Sequence, residues 1–345
     1  MPLVIERPLR SWNYFEQLTG IPKKEFLALS EIAGSLYRPF DLRRRGTEKW
    51  RHIDNPEVTL KSAQRALQRG VFRRLELPET ITGGVVGRGT LDAARAHVGQ
   101  SELVTLDLRD CFPRTSNVVV YNALCEHLLC KPEIAAAITR LVTFHRLLPQ
   151  GAPTSPALAN LTLLHLHAEI AEICDNQGLS FSFYVDDIAF SGDDATSAIE
   201  PIIRAIQRHG HAVRCKKKHV LRSGSNQAVT GITTNNVLSA GRKLIEQLRE
   251  EIFELAATPD VHEAALLSLK GKIVNVSRIN ASQGATLSRL AERLLPPHGV
   301  AAKMEPKDEY RACPPCVAVV RRKQRGPSHK DSRSPRRPME HSAKF

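Results

Sequence analysis

Residues 181–190 read Phe-Ser-Phe-Tyr-Val-Asp-Asp-Ile-Ala-Phe, two short runs of aromatic and β-branched residues on either side of adjacent aspartates. The runs have strand length and strand composition, so the segment predicts a β-hairpin with two carboxylates at its tip. An Asp-Asp pair alone is most often a solvated turn. Here Tyr184, Val185, Ile188 and Phe190 make the flanks buried strands, where unpaired charge is costly. A second segment, 102–108, is also apolar and β-branched and carries Asp107 at the strand's exit. If the two strands are neighbours in one sheet, Asp107, Asp186 and Asp187 converge. Carboxylates suit Mg²⁺, a hard cation that prefers oxygen to nitrogen or sulfur. Two such ions about 3.5–4 Å apart can stabilise both the attacking and the leaving oxygen of a phosphoryl transfer.

The rest of the chain reads as a mixed α+β protein. Phe26, Leu29, Ile32, Ala33 and Leu36 recur at helix spacing, which predicts a helical N-terminal extension over residues 1–40. A basic, turn-containing stretch follows from 43, and residues 60–69 hold helix formers without Pro or Gly, together a hairpin and a helix. Further helices are expected over 118–129, 134–144, 156–174 and 199–209, and short strands over 219–233. Residues 237–295 are helical by pattern, with Leu244, Leu248, Ile252 and Leu255 on one face, and could form a separate lobe. Beyond Pro296 the composition turns to Pro, Ser, Arg and Lys, so 301–345 is expected to be a basic, disordered tail.

Forty-nine Lys and Arg against 36 Asp and Glu leave +13, an excess that favours a polyanionic partner through counterion release. The N-terminus carries Glu6 and two prolines where a secretory signal needs an apolar core, and no later run approaches a membrane span. A cytoplasmic protein without a membrane partner is expected. Seven cysteines, an odd number, fit reduced thiols better than a disulfide framework. Cys313 and Cys316 form the only close pair, and a structural zinc needs a second pair nearby.

The residues then support a resemblance. Phe183-Tyr184-Val185-Asp186-Asp187 resembles the aromatic-x-Asp-Asp box of reverse transcriptases, and Leu106-Asp107-Leu108-Arg109-Asp110-Cys111-Phe112 resembles their first catalytic aspartate segment. Between them, residues 148–160, Leu-Pro-Gln-Gly-Ala-Pro-Thr-Ser-Pro-Ala-Leu-Ala-Asn, resemble the family's LPQG-x-x-[ST]SP-x-x-[AS]N block. The resemblance implies a right-hand polymerase fold: fingers and palm over 41–234, with an antiparallel palm sheet, and a helical thumb over 235–300. It implies catalysis by Asp107, Asp186 and Asp187, with two Mg²⁺ ions held by these residues and Leu108. Deoxynucleoside triphosphates would be bound by Arg44, Arg51, Phe112, Gln150, Gly151 and Lys217. Phe112 would sit against the sugar's C2′ and exclude a 2′-hydroxyl. Arg44 and Arg51 would grip the triphosphate with forked guanidinium contacts.

Three features point to the retron-type branch. Val229-Thr230-Gly231 matches its Val-Thr-Gly signature; Ala93-Ala94-Arg95-Ala96-His97 resembles its Asn-Ala-x-x-His segment, with Ala93 in place of the Asn. The chain also ends in a short basic tail rather than continuing into maturase or nuclease regions. Ser155-Pro156 stands where a diversity-generating enzyme carries Ser-Gln. Within this branch the resemblance implies a cognate structured non-coding RNA as template and primer, contacted through His97, Val229, Thr230 and Gly231. Synthesis would start on a guanosine 2′-hydroxyl and give single-stranded DNA joined to RNA, in phage defence with a linked effector protein. The alternatives are another bacterial reverse transcriptase, such as a group II intron-like one, and a catalytically idle RNA-binding scaffold. A nuclease with an acidic triad would leave the LPQG block unexplained.

Overall fold

The computed structural model describes residues 5–295 except 6, 44–47, 49, 216–217 and 260. The sequence-based expectations for Arg44, for Lys217 and for the tail with Cys313 and Cys316 lie outside the described residues. The chain enters through α1 (Trp12–Thr19) and α2 (Lys23–Ile32). Their rings Phe15 and Phe26 meet edge to face, with centroids 4.8 Å apart. Helical structure stops at Leu36, short of the expected residue 40, because Pro39 cannot continue a helix and disfavours helical backbone at Arg38. The chain is instead extended as β1 (Tyr37–Arg43), paired antiparallel with β2 (Trp50–Pro56), and then enters α3 (Val58–Gly70).

After α4 (Thr90–Arg95) comes β3 (Glu102–Asp107), followed by the short α5 (Cys111–Arg114), α6 (Asn117–His127) and α7 (Pro132–Val142). Pro132 opens α7 where a missing N–H costs nothing. The helix expected over 156–174 is two helices, α8 (Ser155–Thr162) and α9 (Leu164–Asn176). At the junction the Leu163 N–H is shared between the Ala159 and Asn160 carbonyls, a bifurcated bond typical of a helix end. The hairpin β4 (Ser180–Tyr184) and β5 (Asp187–Gly192), helix α10 (Ile199–Arg208) and β6 (His219–Arg222) follow.

Strands β3 to β6 form one antiparallel sheet in the order β4-β5-β3-β6. Its register is set by side-chain alternation. Val104, Leu106, Phe181, Phe183, Ile188 and Phe190 share one face and are buried in the main core with Leu124, Ile138, Leu161, Ile170 and Ile202 of α6 to α10. The opposite face carries small and polar residues, including Thr105, Ser182 and Ala189, with Asp107 and Asp187 at one end. Part of this second face is covered. Ala93 and Ala94 of α4, with Val229 and Ile232, pack on Leu103 and Ala189; Val229 and Ile232 belong to β7 (Ala228–Val229) and β8 (Ile232–Thr233), which pair with β9 (Ser239–Ala240). The carboxylate end is left accessible.

Helices α11 (Arg242–Ala257), α12 (Glu263–Ile279) and α13 (Ala281–Leu294) build a second core from Leu248, Ile252, Leu266, Leu269, Ile273, Val276 and Leu287. The fold is thus mixed, with antiparallel sheets and a helical C-terminal part. Among the described residues no helix is long and apolar enough to cross a membrane.

Candidate active site

The geometry of the hairpin tip fixes the carboxylates. Tyr184 is paired with Asp187, so Val185 and Asp186 form a two-residue turn. Val185 has φ 60, a left-handed conformation that a β-branched residue adopts only under constraint. The constraint is visible. Residues 80–84 run beside β4: the Phe183 N–H donates to the Thr80 carbonyl at 2.8 Å, and the Thr82 N–H and hydroxyl both donate to the Phe183 carbonyl, at 2.8 and 2.9 Å. Next, Gly83 lies so close to the turn that a Cβ there would stand 2.8 Å from the Val185 nitrogen. The Asn160 side-chain amide of α8 donates to the Gly83 carbonyl at 2.7 Å. The 80–84 segment is therefore a wedge between the Asp-Asp turn and helix α8.

Asp107 lies directly across the ladder from Asp187. The Leu108 N–H donates to the Asp186 carbonyl at 2.8 Å, which ties the third aspartate to the same strand exit. Asp107 is only 3% exposed, Asp186 half-buried and Asp187 exposed. Arg214 answers the buried charge: its Nε is 3.2 Å from Asp107 Oδ1, its Nη2 is 2.9 Å from Asp110, and its N–H donates to the Asp107 carbonyl. Burial, and then the carboxylates of Asp186 and Asp107, push the Cys111 thiol up to about 12, so it is a packing group and not a nucleophile. A cleft of about 290 Å³ opens over the sheet, lined among others by Thr105, Asp107, Tyr184, Asp187, His219 and Thr230. The donors gathered here are the carboxylate oxygens of Asp107, Asp186 and Asp187, a set matched to hard cations such as Mg²⁺ and not to soft metals.

The LPQG turn is fastened to the first hairpin. The Asp54 N–H donates to the Gln150 carbonyl at 2.7 Å, and the Gln150 N–H donates to the Asp54 carboxylate at 3.0 Å. Gly151 has φ +131, and a Cβ there would meet Ile53 at 2.9 Å; only glycine accepts both conditions. Gln150 is half-buried and Gly151 exposed. Arg51 is exposed on β2, and Phe112 is half-buried on α5, just after Asp107.

His97 is placed differently from the expected RNA contact. It is fully buried, with its ring nitrogens 2.6 Å from the Ser191 hydroxyl and 2.9 Å from the Ser182 hydroxyl. Burial lowers its pKa to about 4, so it is a neutral internal brace on the polar face of the sheet. Val229 is likewise buried but lines the cleft beside Thr230, while Gly231 is exposed with φ 85. Thr230 has φ 50, and its hydroxyl lies 2.8 Å from the Val229 carbonyl and 3.2 Å from the Thr90 carbonyl, either of which can accept its proton. Sequence reasoning missed Arg214, His219 and the 80–84 wedge. Of these only the wedge left a signal, the Thr82-Gly83-Gly84 turn.

A family profile described as reverse transcriptase (RNA-dependent DNA polymerase) matches residues 21–219. The retron Mx65 reverse transcriptase of Myxococcus xanthus is 33% identical over 261 residues, 69% of this chain and 60% of its own length. The retron Se72 reverse transcriptase of Salmonella heidelberg is 22% identical over 84% of this chain and 80% of its own. Among solved structures, telomerase from Candida albicans in complex with a telomeric RNA fragment aligns over 73% of this chain and 56% of that one, with TM-score 0.46 and 11% identity.

Proposed function

The chain belongs to the reverse transcriptase family, and we propose that it is an RNA-directed DNA polymerase of the retron type, copying a cognate structured RNA into DNA from deoxynucleoside triphosphates. The observation that carries this reading is the cross-strand pairing of Asp107 with Asp187, at the accessible end of a sheet whose other face is core. Asp107, Asp186, Asp187 and the Leu108 carbonyl would hold two Mg²⁺ ions. When bound, these would neutralise charge on the attacking and leaving oxygens. On this reading Arg214, 3.2 Å from Asp107 Oδ1, orients that carboxylate before the ions arrive. In the right-hand description, residues 41–234 act as fingers and palm and 235–300 as thumb. Arg44, Arg51 and Lys217 contribute phosphate contacts, and Gln150, whose own backbone is bonded to Asp54, holds the turn so that the Gly151 backbone faces the incoming nucleotide. The +13 charge supplies affinity for the RNA and DNA backbones without reading sequence. Priming from an RNA 2′-hydroxyl, a linked effector and a role in phage defence complete the proposal.

Two experiments separate this reading from its neighbours. Phe112→Ala opens the space where a 2′-hydroxyl would stand, so the variant is expected to incorporate ribonucleotides about tenfold more readily relative to deoxynucleotides. Unchanged sugar discrimination in primer extension would make Phe112 a packing residue only. Thr230→Ala removes the hydroxyl that faces the Val229 and Thr90 carbonyls and alters the edge of the cleft. Initiation on the cognate RNA is expected to fall about tenfold while extension of an annealed DNA primer stays within about twofold. Equal loss in both assays would assign Thr230 to folding and remove the retron-specific part of the proposal.

A further inference from the structure

Away from the aspartates, three potential metal ligands meet between α6 and α9. Glu126 and His127 are the last two residues of α6, and His165 is the second residue of α9. One ligand atom from each lies within 4.8 Å of the other two. Glu126 and His165 are exposed and joined by a 2.6 Å contact between Oε1 and Nε2. His127 is 3% exposed, and its ring packs at 5.3 Å on the His165 ring. Among the described residues the His127 ring makes no hydrogen bond. Neither ring nitrogen of His127 is among the fully enclosed side-chain atoms without a partner, so the ring is buried while its nitrogens keep an opening through which a ligand can be met. The exposed Glu126–His165 pair alone is an ordinary surface contact worth little; it does not account for the buried ring beside it.

We propose that Glu126, His127 and His165 form a binding site for a divalent first-row transition ion of the zinc class, separate from the aspartate site. Two imidazole nitrogens and one carboxylate oxygen are a borderline donor set, which Zn²⁺ and Co²⁺ accept and Mg²⁺ does not. Metal–donor bonds of about 2.0–2.2 Å in a tetrahedron place donors roughly 3.3 Å apart. The three ligand atoms, now within 4.8 Å of one another, would close to that value around an ion, with the 2.6 Å Glu126–His165 contact opening to admit it. The fourth position faces solvent, since two of the three ligands are exposed, and takes water. Such an ion bridges residues 39 positions apart and so cross-links α6, which follows the Asp107 segment, to α9, which follows the LPQG helix. Its role is structural: it stabilises the scaffold behind the polymerase site and takes no part in nucleotide addition.

The test uses the full chain, stripped with chelator and then titrated with Zn²⁺ in the presence of millimolar Mg²⁺. One equivalent is expected to bind, and the thermal midpoint to rise by roughly 5 °C at a hundredfold excess over the dissociation constant. Co²⁺ in place of Zn²⁺ should give the visible absorption of a four-coordinate site. His165→Ala and Glu126→Gln replace exposed side chains and leave the fold intact. Each should lose the Zn²⁺-dependent shift and the Co²⁺ spectrum while extending a DNA primer normally in Mg²⁺. No uptake by the unaltered chain overturns the site. An equal shift in His165→Ala also overturns it, because the ion then sits elsewhere, on cysteine thiols or on the aspartates.

Discussion

Asp186→Asn is expected to lower DNA synthesis by about a thousandfold or more, because charge stabilisation by bound divalent ions contributes several kcal/mol to such a reaction. Asp186 is the informative choice among the three aspartates. Its backbone carbonyl accepts from the Leu108 N–H at 2.8 Å, and asparagine keeps that contact while removing the charge. Asp107, by contrast, is 3% exposed and ion-paired with Arg214. Neutralising it removes one of the two carboxylates that Arg214 pairs with and disturbs a buried position, which confounds chemistry with folding. RNA affinity should stay within about threefold in Asp186→Asn, since it depends on many phosphate contacts and not on this carboxylate. Single-turnover extension and RNA binding, measured on one preparation, give both numbers. Extension within about tenfold of the unaltered chain would take the carboxylate out of the reaction.

Why the aspartates could be brought together by reading alone is a matter of period. Strand side chains alternate with period two, so the apolar residues flanking Asp107 and the Asp-Asp pair fix which face each strand buries. The face that buries Val104, Leu106, Ile188 and Phe190 leaves Asp107 and Asp187 on the other. The hairpin is local, and its turn is legible in the residues that make it. His97 shows the opposite case. A histidine near a family motif invites a ligand-binding role, but its environment is made by Ser182 and Ser191, 85 and 94 residues away, and no local pattern reports burial between two serines. Arg214 is hidden for the same reason. It sits in a basic stretch that reads as a solvated face, and only the tertiary fold shows that its guanidinium meets Asp107 and Asp110. The break at Leu163 is invisible too, since apolar residues run through it at helix spacing.

Gly83→Ala is expected to cut polymerisation about a hundredfold, the scale that a displacement of about 1 Å at a reacting centre produces. The obstacle is space. Gly83 does not need a left-handed backbone, so alanine meets no torsional objection there; what it meets is the turn. Its Cβ would stand 2.8 Å from the Val185 nitrogen and 2.9 Å from the Tyr184 carbonyl carbon, both backbone atoms that no rotamer change can remove. Retreat to the other side is closed. Neighbouring Gly84 already stands where a Cβ would be 2.7 Å from Pro156, and the Asn160 amide holds the Gly83 carbonyl. The turn must therefore move, and it is held in an unfavourable left-handed conformation at Val185 that any slackening would release. Because Asp186 and Asp187 ride on this turn, the loss should appear in kcat more than in KM for nucleotide. Overpacking of this kind costs stability of about 1–3 kcal/mol, so thermal midpoints must be measured alongside, with extension assayed well below them. Gly34→Ala, at a position with nothing within 4 Å of the added carbon, is the matched control and should leave both quantities unchanged. If Gly83→Ala instead extends primers at the normal rate, the 80–84 segment is only a neighbour of the Asp-Asp turn and does not set its position.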